Sequence, residues 1–431
     1  MKTNNFQIIV IVVFIALAIF GVFVFSGAIP IGDNSDDAGG LGTVVLWGTI
    51  SSDAIFPLLE SFNNANQSFV VNYVEKQKDT FDRDLLEALA SGTGPDMIFL
   101  PDNLAFRYAN KIFTVPYQSF SLASFKNTYA SAGEVFLNSK GIMAFPLSID
   151  PLVMYYNRSI LDGSGIVYPP SFWDEFSQLV PFLTKKDGAN KIVQSAVALG
   201  HFSNIAHAKA IISSLFMQTG DTIITEKDGF FSSTLGIGKQ RDPSLILRFY
   251  TDFADPSKNV YSWNKSFPYS TEAFSAGNLA FYFGYGSELQ SLVDKNPNQN
   301  FLAAPFPQIR DAGFKLTGAE VTGIAVLSSS KNFNTSILAA NLMASSDFAA
   351  KFATILGMAP ARRDLLAVKP SDAFTPIFYN SALYAKNWLD PSPKDTDDIF
   401  RKMIDAVLSN SMAPLDAIRD GSGKLQLLLS K

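Results

Sequence analysis

The chain has 431 residues, 47% of them hydrophobic and 17% charged, so a sizeable core can be buried and no segment is forced into disorder. Its net charge is -5 with acids and bases scattered, which excludes a nucleic-acid binder built on a clustered basic face. No cysteine is present, which removes disulfides, thiol catalysis and Cys-ligated zinc.

The N-terminal run from Ile8 to Phe25 is apolar and carries no charge. At 1.5 Å per residue it spans about 27 Å, near the hydrocarbon thickness of a bilayer. It exceeds the usual signal-peptide apolar region of about 7–15 residues. Lys2 precedes it and Asp33, Asp36 and Asp37 follow it, so the positive-inside rule leaves the N-terminus in the cytoplasm and the body outside. These features predict a transmembrane anchor over residues 1–25. "SGAIPIGDNSDDAGGLG" then reads as a flexible linker over 26–42. Cleavage after Ala28 is the alternative.

The body begins at Thr43. "TVVLWGT" reads as a buried strand, and "SSDAIFPLLESFNNAN" as a helix with Ile55, Leu58, Leu59 and Phe62 on one face. Pro57 fits that helix if it falls in the first turn. "SFVVNYVE" is a second strand, "DTFDRDLLEALASG" a helix closed by Gly92, and "PDMIFLP" a third strand. This alternation predicts an α/β body with a parallel sheet. "GIMAFPLSIDPLVMYYN" holds two strand-like runs separated by Ser148 to Pro151. "YPPSFWDEFSQLVPFLT" enters a helix with Ser171 as the expected cap. "TEAFSAGNLAFYFGYGSELQSLV" reads as helix, turn, strand, Gly-rich turn and helix. "DDIFRKMIDAVLSN" is a strongly amphipathic helix. Late strands such as the one near Gly323 are expected to join the first sheet.

Ligands of an open parallel α/β sheet lie beyond the carboxyl ends of its strands. The first strand ends at Trp47 and the third at Asp102. Other candidates are Asp150 with Ser148 in the crossing segment, Phe202 and Asn204 after Gly200, Trp263, Tyr285 in "FGYGSEL", Glu320 in "GAEVTG", and Arg362 or Arg363 in "GMAPARRD". A neutral polyol such as a sugar suits this mixture, because its C–H faces stack on aromatic rings and its hydroxyls need polar partners. Tyr155 and Tyr156 could in principle hold ferric iron, but strand neighbours point to opposite faces, which favours a structural role. His201 and His207 form no HExxH pattern. Enzyme signals are poor: no GxSxG occurs, and "GSGK" at Gly421 lacks the upstream glycine of a P-loop. No metal and no cofactor is expected.

Taken in order, "LLEALASGTGPDMIFLPDN", "FPLSIDPLVMYYNRSIL", "YPPSFWDEF", "FSAGNLAFYFGYGSEL", and "TGIAVLSSSKN" followed by "GMAPARRDLL" resemble the sugar-binding family of extracellular solute-binding proteins that serve bacterial ABC importers. The resemblance covers nearly the whole body. It implies a two-lobed periplasmic-binding-protein fold of type II, with a hinge, closing on one small solute, most naturally a carbohydrate. It implies a monomer that delivers the solute to a membrane permease. The expected division is a first lobe over about 43–150 and 272–325, and a second over about 151–271 and 326–431. By position, Trp47, Asp102, Asp150, Phe202, Asn204, Tyr285 and Glu320 match the family's ligand-contacting regions. Many relatives carry a lipid-modified cysteine at the anchor, and this chain does not. Capture of another solute such as ferric iron or a polyamine, service to a signalling sensor, and glycan hydrolysis stay open as alternatives.

Overall fold

The computed structural model describes residues 41–238 and 241–430. The expected anchor, and the expected linker as far as residue 40, lie outside the described residues. Among the described residues no helix is long and apolar enough to cross a membrane.

The first unit is β1 (Thr43–Gly48), α1 (Ser52–Ala65), β2 (Val70–Glu75), α2 (Phe81–Ala90) and β3 (Met97–Pro101). β1 pairs in parallel with both β2 and β3, as strand–helix–strand connections require. α1 buries Ile55, Leu58, Leu59 and Phe62, the face its spacing predicts. Pro57 sits in the second turn of α1, not the first. It is exposed, as is Asp53, whose carbonyl loses its helical donor and can turn to water instead. α2 ends just before Gly92, whose φ of 70° suits glycine at a helix C-terminus.

The chain continues through β4 (Phe145–Asn157), α3 (Ala208–Gln218), β5 (Ile224–Lys227), β6 (Phe230–Ser233), β7 (Leu279–Tyr285), β8 (Phe301–Pro305), β9 (Thr317–Val326), β10 (Ala385–Lys386), α4 (Pro393–Leu408) and α5 (Pro414–Leu429). β4 is one unbroken strand buried along its whole length, where the sequence suggested two runs. The physical reason lies at Pro151. It closes the pairing of β4 with β9, opposite Ala319, and Leu152 opens the pairing with β7, opposite Tyr285. The missing N–H therefore falls where β4 passes from one neighbour to the next. β9 pairs antiparallel with both β3 and β4, so the late strand does join the first sheet. Ser171 does not cap its helix. The Glu175 carboxylate accepts from the backbone N–H of Ser171 at 2.8 Å and of Phe172 at 3.2 Å, because the first turn is a tight 3-10 turn over Trp173–Glu175.

Two hydrophobic cores make two lobes. The first holds residues from Val44 to Ile149 and from Ala319 to Leu366, with Ala382 and Ala385. The second holds residues from Leu152 to Leu316, with Phe378 and those from Ile399 to Leu425. Core membership thus departs from the expected division on both sides of β9. Residues 272–316 pack in the second core because β7 and β8 pair with the C-terminal half of β4. Residues 326–366 pack in the first because their helices cover its sheet. Phe348 meets Phe62 edge-on at 5.4 Å, and Phe352 lies 4.9 Å from Phe99.

Candidate ligand-binding cleft

A cavity of about 580 Å³ lies between the lobes. Glu134, Val135 and Leu137 line it from the first lobe, and Met217, Ile223 and Phe231 from the second. Lys386, Asn387 and Trp388 complete the wall. Phe231 is carried by the β5–β6 hairpin, whose turn residues Asp228 and Gly229 both take positive φ, at 54° and 83°. Asp-Gly is the residue pair this turn favours. α5 holds the hairpin in place: Ser233 N donates to Gln426 Oε1 at 2.8 Å, and the hydroxyls of Ser233 and Ser422 lie 2.8 Å apart. Phe231 in turn meets Phe106 of the first lobe edge to face, with ring centroids 5.1 Å apart, so the lobes touch beside the cavity. Trp388 follows β10, which pairs in parallel with Thr317 and Gly318 of β9. Its backbone N–H donates to Asn387 Oδ1 at 2.8 Å, and the Asn387 amide donates to the Asp102 carboxylate.

A smaller cavity of about 110 Å³ adjoins the first and shares Met217, Asn387 and Trp388 with it. Asp102, Glu320, Asp390, Tyr285 and Ser213 line it. Burial, then the charges of Glu320 and Asp390, push the Asp102 carboxyl well above the usual range, against hydrogen bonds from the backbone of Val321 and Asn103. Burial also raises Asp150 to about 7, with Glu320 and Glu288 adding to it and hydrogen bonds from Ser287 opposing it. Glu288 is held ionised despite its burial. It pairs with His207 Nε2 at 2.5 Å and accepts from Tyr282 Oη at 2.5 Å and Tyr285 N at 2.9 Å. Lys209 lies between Asp390 at 2.8 Å and Asp397 at 2.6 Å.

Residues 54–356 match the family described as bacterial extracellular solute-binding protein. The chain belongs to that family. It is a family of binding proteins, not of enzymes. No curated protein matches the chain by sequence. Among solved structures, the cyclic alpha-maltosyl-1,6-maltose binding protein from Arthrobacter globiformis superposes with a TM-score of 0.74 at 14% identity, over 90% of this chain and 98% of that one. The cyclo/maltodextrin-binding protein complexed with maltotetraose gives 0.72 at 15% identity, over 91% and 98%. The sugar-binding protein MalE from Xanthomonas citri gives 0.71 at 17%, over 90% and 97%. These likenesses establish the two-lobed fold.

Seen in the cleft of this solute-binding protein, the sequence-predicted residues divide. Asp102, Asp150, Tyr285 and Glu320 come together. Glu320 stands directly opposite Asp150 on the paired strands, and Tyr285 and Asp102 share the smaller cavity with Glu320. The others lie away from both cavity walls. Trp47 is buried with the Lys76 ammonium 3.8 Å from its ring centre. Phe202 packs against the second core. Trp263 is fully buried, stacked on Phe267 at 4.5 Å, and its indole N–H donates to Asn204 Oδ1 at 3.1 Å. Asn204 spends its amide on the carbonyls of Asn264 at 2.9 Å and Phe267 at 3.2 Å, so the pair ties a loop together. Arg363 donates to the carbonyls of Lys126 at 3.1 Å and Tyr129 at 2.9 Å. Tyr155 and Tyr156 are both buried, and Tyr155 donates to the Tyr285 carbonyl at 2.9 Å. Among the described residues no group of three or more His, Asp or Glu side chains is placed to hold a metal ion. Sequence reasoning missed Trp388, Asn387, Lys209 and Phe231. Only Phe231 had a readable signal, the Asp-Gly turn in "EKDGFF".

Proposed function

We propose that this protein captures a carbohydrate between its lobes and delivers it to the permease of an ABC importer. The observation that carries this reading is the wall of the larger cavity. Trp388 and Phe231 offer aromatic faces, and Glu134, Glu226, Lys386 and Asn387 offer hydrogen-bonding groups around about 580 Å³. A sugar ring uses both kinds of surface. Support also comes from the superposed proteins, whose descriptions name maltotetraose, cyclic alpha-maltosyl-1,6-maltose and, in a further case from Listeria monocytogenes, cycloalternan. The solute drives closure by binding the closed form more tightly than the open one. Calorimetry against a panel of mono- and oligosaccharides, neutral and amino-bearing, is expected to give saturable binding by at least one. Silence across the whole panel ends the carbohydrate reading.

The body acts outside the cytoplasm, as its family does. We further read residues 8–25 as an uncleaved anchor, supported by their unbroken apolar character and the flanking charges. An anchor keeps the body near the permease and raises its effective concentration there. Mass spectrometry of the mature chain is expected to find the residues before Ile29 still attached. A mature protein that starts near Ile29 refutes the tether.

A further inference from the structure

We infer that the smaller cavity receives a protonated amino group of the bound solute, set between Asp102 and Glu320 while the rest of the solute lies in the larger cleft. This rests on the reading of the cleft as a solute site and specifies its ligand as an amine, as in an amino sugar.

Three observations carry it. The first is an unbalanced charge arrangement. The solvent-exposed Glu320 stands directly opposite the buried Asp150 on antiparallel strands, and when both are ionised their like charges repel. Asp102 adds a third carboxyl, 3% exposed, in the same wall as Glu320. The cations nearby are committed elsewhere: Lys209 to Asp390 and Asp397, and His207 to Glu288. Among the described residues no lysine, arginine or histidine forms an ion pair with Asp102, Asp150 or Glu320.

The second is Ser213. It lines the same cavity from α3, is 1% exposed, and its hydroxyl has no hydrogen-bond partner. The adjacent Ser214 bonds back to the Ala210 carbonyl at 2.7 Å, and Ser213 makes no such bond. A buried hydroxyl left unpaired in the free protein is a place prepared for a ligand atom.

The third is size and kind. About 110 Å³ has room for an ammonium and the carbon that bears it. No group of three or more carboxylate or imidazole side chains is placed for a metal ion among the described residues. The acceptor set of Asp102, Glu320 and Ser213 instead matches the three donors of an ammonium. Asp102 would ionise as the ammonium arrives, releasing a proton. The groups facing it are Glu320, Asp390, Asp150, Tyr285, the His207–Glu288 pair and Lys209.

The test is calorimetry with glucosamine oligomers, their N-acetylated forms, glucose oligomers of equal length, and spermidine. The amino oligomer is expected to bind at least about ten-fold tighter than its N-acetylated form, the value of one charge-assisted hydrogen bond. Its affinity should rise with pH for as long as the amine stays protonated, and its heat should depend on the buffer, reporting the released proton. Asp102→Asn and the solvent-exposed Glu320→Gln should each abolish the amine preference. Ser213→Ala should weaken amine binding about three-fold or more without lowering the melting temperature, since the lost hydroxyl had no partner. A neutral oligomer that binds as tightly as the amino form overturns the inference and leaves the carbohydrate reading intact. Spermidine binding without any saccharide supports the ammonium site and ends the carbohydrate reading. Binding by none of them overturns both.

Discussion

Trp388→Ala is expected to weaken solute binding by about 30-fold or more, a loss of about 2 kcal/mol or above that is usual for a central aromatic contact. Trp388 is half-buried and stands in the walls of both cavities, so a solute that spans them must pass its ring. Its backbone is pinned by Asn387, which also holds Asp102, so the ring is placed before the solute arrives. Little binding energy then goes into ordering it. The three other tryptophans are more deeply buried. A solute-induced change in indole emission should therefore come chiefly from Trp388 and vanish in the alanine variant. Trp388→Phe keeps an aromatic face and should recover most of the affinity. Calorimetry of the three proteins gives the ranking. Equal affinity for wild type and Trp388→Ala would move the solute out of this cleft.

How far the sequence foretold these features depends on how local each one is. α1 was legible because Ile55, Leu58, Leu59 and Phe62 repeat at helical spacing, and that face is buried. β4 was half legible. Its apolar residues marked it as buried, but Pro151 looked like a break, since a handover between two partner strands leaves no local mark. Core membership departs from the expected lobe division for the same reason. Whether β7 pairs with the first or second half of β4 is decided by residues far apart in the chain. Of the candidate residues, Asp102, Asp150, Tyr285 and Glu320 were legible as neighbours because they sit at strand ends or in the crossing strand, where the strands of an open sheet converge on a cleft. Trp388 was not, because the strand that positions it is only Ala385–Lys386, too short to show a period. Asn204 and Trp263, candidates on the same grounds, lie away from the two cavities. Each has the chemistry of a sugar contact, but they satisfy one another, and composition cannot distinguish a self-satisfied pair from an open one.

Asp96→Ala is expected to destabilise the first lobe by about 3 kcal/mol, because it strands several buried donors that each cost about 1–3 kcal/mol when unmet, less what entering water restores. Asp96 belongs to the Pro-Asp sequence before β3, and Ser330, Lys331 and Asn332 belong to the Ser-Lys-Asn sequence after β9. These were two separate pieces of the family resemblance. In the folded chain they are halves of one junction. The buried Asp96 carboxylate accepts from Val45 N at 2.9 Å, Ser330 Oγ at 2.6 Å, Lys331 N at 3.1 Å and Asn332 N at 3.2 Å. Asn332 also donates to the Thr43 carbonyl at 2.8 Å, which fastens the start of β1 to the same point. Burial alone would raise the Asp96 carboxyl. The hydrogen bonds from Ser330, Val45 and Asn332 outweigh it and hold the group below its ordinary value. A carboxyl depressed on folding stabilises fully above its unfolded value of about 3.9, and that contribution is lost as pH falls through the folded value. Asp96→Asn keeps one acceptor oxygen and loses the charge, so it should cost less than alanine at pH 7. Its deficit relative to wild type should begin to narrow as the pH is lowered below about 4, where the unfolded wild-type carboxyl takes up its proton while the folded one still resists it. Urea denaturation of the three proteins at pH 7 and pH 3.5, followed by circular dichroism, measures both quantities. A deficit for Asp96→Asn that stays constant across that range would mean the junction depends on shape and not on charge.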